Sequence, residues 1–475
     1  MQRVKKRRSF LLCASVPMSL CISLLCFVPL CLCTFVPGWC RNSTEVSDSR
    51  RVFFSRSTRK AMTSKSKGIL ILATMDTKGP EALYVRKKID EQGLRPTLMD
   101  LSTRGGRQSS GADIGSAEVA KAGGASLNLL ASSSDRGRNT EAIVSGAVKI
   151  AHRLLRENRI HGILGLGGYS GSLMTSEVMH SLPFGFPKIL VSSAAAIPGL
   201  STRFIQTSDI LLFHSVVEIA GLTGLLKNVL DRAVFAMTGI LQGQVTEPYA
   251  DRSKSIAMTM LSPCEGCARA VRAALEKSAY PVVGFHATGI GDRAMEAMIS
   301  GGLFRGVIDL APGGVGEHLY GFMRDAGPTR LEAAGRMGIP QIISTCGVNH
   351  ITPRKSKYTR EHDLRRRHDI DRLRTWLRMS PRELKEVAVL FAEKLNLSRG
   401  PVSVVIPLRG WSSVDAPGNA TYDPEEDRIF TTELRKTLKK EIPIAEVDAN
   451  MEDPEFAQAL VKLALEMFEG VSSYA

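Results

Sequence analysis

The chain of 475 residues reads as an α/β protein with two Rossmann-like parallel-sheet subdomains and a cleft between them. Three features predict this. Short apolar runs alternate with helical stretches, the pattern of parallel strands covered on both faces. That pattern occurs twice, with matching order in each copy. Gly162 to Ser172, GILGLGGYSGS, reads as a strand that breaks into a glycine loop and opens a helix, an architecture in which backbone N–H groups hold a phosphate.

The first half is expected over 67–245. Gly68 to Thr74 is a strand, followed by the loop Asp76-Thr77-Lys78-Gly79, a helix from about Pro80 to Gln92 and a strand near Pro96 to Asp100. An insertion follows between about 102 and 150, before the glycine-loop strand and a Pro-led strand at Pro187 to Ser192. The second half, over 246–475, repeats the order. Ser255 to Leu261 is a strand, then come a loop, a helix to about Lys277 and a strand at Pro281 to His286. Phe304 to Gly314 resembles the glycine-loop segment, and Pro340 to Ser344 matches the Pro-led strand. A hinge is expected near 240–255, where Gly243 and Pro248 interrupt the helical pattern.

Ligands of such sheets bind beyond the carboxyl ends of the strands. Three loops of the first half converge there. Asp76, Thr77 and Lys78 follow one strand; Gly167, Gly168, Ser170, Gly171 and Ser172 follow another; Ser192 and Ser193 end a third. The glycines let the backbone approach a ligand with no Cβ in the way, and the serines add hydroxyl donors. The spacing matches neither the dinucleotide fingerprint nor a P-loop, which needs Lys followed by Ser or Thr after its second glycine. Lys78 is placed to neutralise phosphate charge and Asp76 to hold a divalent metal bridging phosphates. For acid–base chemistry the candidates are His214 and Glu218, four apart on an expected helix, and His286 and Asp309, which end strands of the second half.

The net charge of +15 is unevenly placed. Residues 1–67 hold 13 Lys and Arg against Glu45 and Asp48, a surplus of 11, which leaves 49 basic against 45 acidic residues for the rest. The folded part is therefore nearly balanced, which argues against a nucleic-acid partner. The basic run from Arg354 to Arg378 reads as a solvated loop and helix face, with an anion or RNA contact as the alternative. Six of the nine cysteines lie at or before Cys40, so no disulfide framework spans the body. Cys264 and Cys267 form an isolated C-x-x-C, and Cys346 has no ordered histidine partner that would make it a nucleophile.

Residues 1–40 form a signal-like hydrophobic leader, in which Arg3, Lys5, Lys6, Arg7 and Arg8 precede the uncharged stretch Phe10 to Trp39. Residues 41–66 are a Ser/Arg-rich linker or transit-like segment. Used together they imply secretory or plastid entry, with membrane contact only through the leader. Translation from Met62 would instead give a cytoplasmic protein.

Six segments in order resemble the ATP-binding domain family named for the tomato mosaic virus resistance protein. They are Ala73 to Ala82, Gly165 to Ser172, Thr207 to Leu222, His286 to Ile299, Arg330 to Gln341 and Val414 to Asp427. The resemblance implies two Rossmann-like subdomains and binding of ATP, with Mg2+ as its companion ion. This chain departs from the family pattern at Ala196, Ile197 and Asn349. The expected function is a nucleotide-binding protein acting as an enzyme on a small anionic metabolite; the alternative is a non-catalytic, ATP-dependent binding or regulatory protein. A second copy of the chain is the other partner considered.

Overall fold

The structure is a computed structural model that describes residues 66–104, 111–243, 254–372 and 374–469. The expected leader, the transit-like segment to residue 65, Met62 and Pro248 of the expected hinge lie outside the described residues.

In the first half the strands are β1 (Gly68–Ala73), β2 (Arg95–Asp100), β3 (Gly162–Gly167), β4 (Lys188–Ser192) and β5 (Leu211–His214). All pairings are parallel and the order is β2-β1-β3-β4-β5. Helices α1 (Met75–Glu91), α2 (Ser116–Ala122), α3 (Leu127–Ser132), α4 (Arg136–Arg156), α5 (Tyr169–His180), α6 (Leu200–Ile205) and α7 (Gly224–Gln242) connect them. The insertion expected at 102–150 is thus α2, α3 and most of α4. Every residue of β1, β3 and β4 is buried, because helices cover both sheet faces and leave no solvent side for polar alternation. One core layer joins Leu70, Ile163 and Leu190 to α4 and α5; the other joins Ile71, Leu164 and Val191 to α1 and α7.

The second half repeats this order with one strand added. Strands β6 (Ile256–Met260), β7 (Val282–His286), β8 (Gly306–Asp309) and β9 (Gln341–Ile343) correspond in sequence to the first four strands of the first half. A small antiparallel sheet interrupts the repeat, formed by β10 (His350–Ile351), β11 (Arg367–Asp369) and β12 (Thr375–Arg378). With β13 (Val402–Pro407) and β14 (Ile444–Val447) the main sheet runs β14-β13-β9-β8-β6-β7, all parallel. Its helices are α8 (Glu265–Lys277), α9 (Ile290–Ser300), α10 (Gly314–Tyr320), α11 (Ala333–Met337), α12 (Arg360–Leu364), α13 (Pro381–Leu395), α14 (Pro424–Thr437) and α15 (Pro454–Glu469).

Two Rossmann-like halves are therefore present. In both, the chain leaves a central strand first to one side and then to the other, so the order reverses between β1 and β3, and again between β6 and β8. That reversal opens a crevice at the strand carboxyl ends. The basic run of the second half is engaged internally: Arg365 bonds Glu361 and Glu383, Arg366 bonds Asp423 and Glu426, and Arg378 bonds Asp415, Glu426 and Asp427.

Candidate active site in the first half

The crevice between β1 and β3 is walled by the loops the sequence singles out. Helix α1 begins at Met75, earlier than the expected Pro80, and is kinked at Lys78 (φ −127°, ψ 18°). Pro80 explains the kink, since its ring crowds the carbonyl one turn earlier and it supplies no N–H. The first amides of α1 are already satisfied by the end of β2. Met75 N–H donates to Asp100 Oδ1 at 3.0 Å, and Asp76 N–H to Ser102 Oγ at 3.1 Å.

Helix α5 is different. Its N-cap is Gly168 (φ −80°, ψ −150°), which has no side chain to cap the helix, and the first-turn N–H groups of Tyr169, Ser170 and Gly171 have no intrahelical acceptor. By contrast Asp135 caps α4 and Thr223 caps α7. The glycines divide by role. A Cβ on Gly167 would lie 2.4 Å from Ser172 N, so close packing of the loop requires glycine there. A Cβ on Gly168 or Gly171 would meet nothing nearer than 3.7 Å, an ordinary van der Waals distance, so neither position is crowded.

Ser172 and Ser192 are buried and face each other, with 2.7 Å between their hydroxyl oxygens. Ser172 Oγ also lies 3.1 Å from Gly167 O, and Ser192 Oγ accepts from Ala194 N–H. They hold the loop in shape. Ser170 is exposed, and Ser193 is half-buried and donates to Glu218 Oε2 at 3.2 Å.

Lys78 Nζ reaches Glu218 Oε1 at 3.0 Å, and the Gly168 Cβ position is 4.0 Å from that same oxygen. This bond to Lys78 holds the Glu218 carboxyl below the ordinary glutamate range, against the opposing effect of partial burial. Thr77 is exposed, with its hydroxyl 2.8 Å from Thr74 Oγ1. Asp76 Oδ1 is buried without a hydrogen-bond partner, an uncommon state for a carboxylate oxygen.

His214 and Glu218 do not share a helix face. His214 ends β5, with Nδ1 3.4 Å from Ser192 O, and Glu218 sits in the following loop. The i, i+4 spacing misleads because Val216 takes a left-handed backbone (φ 64°), which breaks any helix there. Both residues still stand at the carboxyl edge of the first sheet.

The second-half candidates fare otherwise. His286 is exposed at the end of edge strand β7, with only Thr288 Oγ1 near its ring, at 3.4 Å. Asp309 is fully buried, and Arg330 and Thr259 occupy its carboxylate at 2.6–2.8 Å. No accessible face remains on it for acid–base work. Arg330 also binds Asp292 at 3.0 Å and Glu296 at 3.1 Å, partners too distant in sequence for spacing to reveal. Cys264, Cys267 and Cys346 are all buried, and burial pushes the Cys267 thiol well up, away from nucleophilic reactivity.

Comparison with known proteins agrees with the two-half architecture. The N-terminal domain model of the uncharacterised protein family UPF0261 matches residues 67–246, and its C-terminal domain model matches residues 253–468. The chain belongs to the UPF0261 family. A family member from Clostridium tetani is 33% identical over 406 residues, covering 85% of this chain and 100% of the relative. The ToMV resistance protein Tm-1(GCR237) of Solanum lycopersicum is 33% identical over 318 residues, covering 66% of this chain but only 42% of the tomato protein. Among solved structures, a UDP-N-acetylglucosamine 2-epimerase from Rickettsia bellii aligns over 86% of this chain and 99% of its own, at 8% identity and a TM-score of 0.20, a likeness too slight to transfer anything.

Proposed function

We propose that the first half binds the phosphates of a nucleotide, ATP with Mg2+, in the crevice between β1 and β3, and presents them to a small anionic metabolite. One observation carries this reading: the N-terminus of α5 opens, uncapped, beside the Lys78–Glu218 pair. Uncapped amides and the helix dipole favour an anion. Lys78 would exchange Glu218 for a phosphate oxygen, and Asp76 would hold Mg2+. Mg2+ commonly takes only one or two protein carboxylates beside phosphates, so a lone carboxylate suffices.

Ser193, His214 and Glu218 stand at the same edge, which favours an enzyme over a purely binding protein. Glu218, released by Lys78 when phosphate binds, is the base of the set.

Gly168→Val tests the site. Its Cβ has room and its φ is unstrained, so the fold should persist while the branched side chain fills the cradle. Calorimetry with ATP and Mg2+ should show binding to the parent and a loss of at least about tenfold in the variant, equivalent to about 1.4 kcal/mol. Equal affinity in the folded variant would move the nucleotide elsewhere, and no binding to the parent would overturn the nucleotide reading.

A further inference from the structure

Away from the glycine loop, residues of both halves line two adjoining cavities, of about 240 and 460 Å3, which share Thr207 and Ala297. Their walls differ in chemistry. The smaller sets Leu182, Pro183 and Phe184 from the first half against Met298 and Leu303 from the second, with His180 and the Lys188-paired Asp209 also in its wall. The larger presents Arg293, His318, Asp325 and Arg336.

Asp325 organises the polar chamber. Its Oδ1 lies 2.8 Å from His318 Nδ1 and 3.3 Å from Arg293, and it accepts from Gly327 N–H at 2.7 Å. That contact fixes the imidazole, with Nδ1 toward Asp325 and Nε2 left for another partner. Glu296 also lines the chamber, but Arg330 and the backbone amides of Leu331 and Ala333 occupy its carboxylate. Glu332 bonds Arg336 and is matched in turn by Lys394. Arg293 and Arg336 are the two guanidinium groups that line the chamber.

Two further observations set this cavity apart from an incidental groove. Gln206, in its wall, holds φ 44° and ψ −120°, a region other residues leave to glycine. Such strain gathers where a ligand is clamped. Thr207, Arg293 and Arg336 also come from three different segments among the six that mark the sequence, and the glycine loop accounts for neither of the two that carry the arginines.

We infer that this paired cavity is a second binding site, for a small monocarboxylic acid with an apolar body. The carboxylate lies with Arg293 and Arg336, His318 Nε2 serves as a further polar contact, and the hydrocarbon part fills the chamber of Leu182, Phe184 and Met298. An acid of this kind suits the two guanidinium groups, and the combined space is within the range of small-molecule sites. Because both halves supply walls, the ligand bridges them. The site does not depend on nucleotide binding at α5.

The test uses calorimetry or ligand-observed NMR with phenylacetate and hexanoate, each beside its neutral amide. Both acids should bind, and the amides should bind at least about tenfold more weakly, the usual difference for loss of a charge-assisted contact. Arg293→Gln should weaken the acids by a similar factor. Ala297→Trp should block both acids: Ala297 is exposed and lines both chambers, so the bulky ring plugs their junction without entering the core. Gly168→Val should leave acid binding unchanged, which separates this site from the nucleotide crevice. Failure of both acids to bind, equal affinity for acid and amide, or parental affinity in Ala297→Trp would each overturn the assignment.

Discussion

The two halves share one strand order, yet their crevices have opposite fates. Between β1 and β3, helix α5 has no side-chain cap, and Gly168 and Gly171 would each take a Cβ without a clash. Between β6 and β8 the protein fills the position itself. Glu452, brought from far along the chain, accepts from Gly266 and Cys267 N–H at 3.1 Å each, placing a carboxylate at the N-terminus of α8, the counterpart of α1. Ser413 N–H bonds Pro263 O at 2.9 Å, and a Cβ on Gly313 would strike Gly347 O at 2.2 Å, so the neighbouring loops close over the edge. Asp309, at the end of β8, belongs to Arg330. Topology supplies a crevice, and local residues decide whether it stays a site.

If the second half is closed by its own charges, the largest effect comes from removing the central one. Arg330 is 1% exposed and joins Asp292, Glu296 and Asp309. Arg330→Met would leave these carboxylates buried without their cation, a change that typically costs about 3–5 kcal/mol. Urea unfolding should show that loss. A variant as stable as the parent would mean that the network is incidental to closure.

A smaller effect separates a protein-supplied anion from a ligand site. Glu452→Ala uncaps α8 and should lower stability by about 1 kcal/mol, the usual value of a helix cap with its dipole contribution. ATP affinity should not change. The variant could also gain weak anion binding at α8, seen as stabilisation by phosphate that the parent lacks. A stability unchanged by the substitution would show that Glu452 is not what fills the second crevice.

What the sequence revealed follows the reach of its signals. Alternating apolar runs and glycines are local, so the two halves, the glycine loop and the convergence of Lys78 with Ser193 could be read directly. Pairings such as Lys78 with Glu218 or Gly266 with Glu452 span 140 and 186 residues, and no spacing rule encodes them. His286 and Asp309 end strands as expected, but chain position alone does not distinguish an exposed imidazole from a carboxylate locked against arginine. The helix expected across His214 and Glu218 failed because periodicity gives no warning of the left-handed turn at Val216. The paired cavity was hidden for a similar reason: its walls come from segments legible one by one, but only folding brings them together.

The smallest effect concerns the ion pair that occupies Lys78 when no ligand is bound. The bond to Lys78 depresses the folded-state pKa of Glu218 below the ordinary value of 4.5. The stabilisation is therefore present above that value and is lost as pH falls through the lower folded-state pKa. Glu218 has 62% of its side chain exposed, so solvent screening limits the contribution to a few tenths of a kcal/mol, within the about 0–1 kcal/mol usual for surface pairs. Glu218→Gln should be slightly less stable than the parent near neutral pH, and the gap should close in acid. Urea unfolding of both proteins across that range, at low salt, measures it. A gap that persists at low pH would assign Glu218 a role through packing or the Ser193 hydrogen bond instead of charge. In that case Lys78 would have no resting partner to exchange, and the open crevice of the first half would rest on the α5 amides and Asp76 alone.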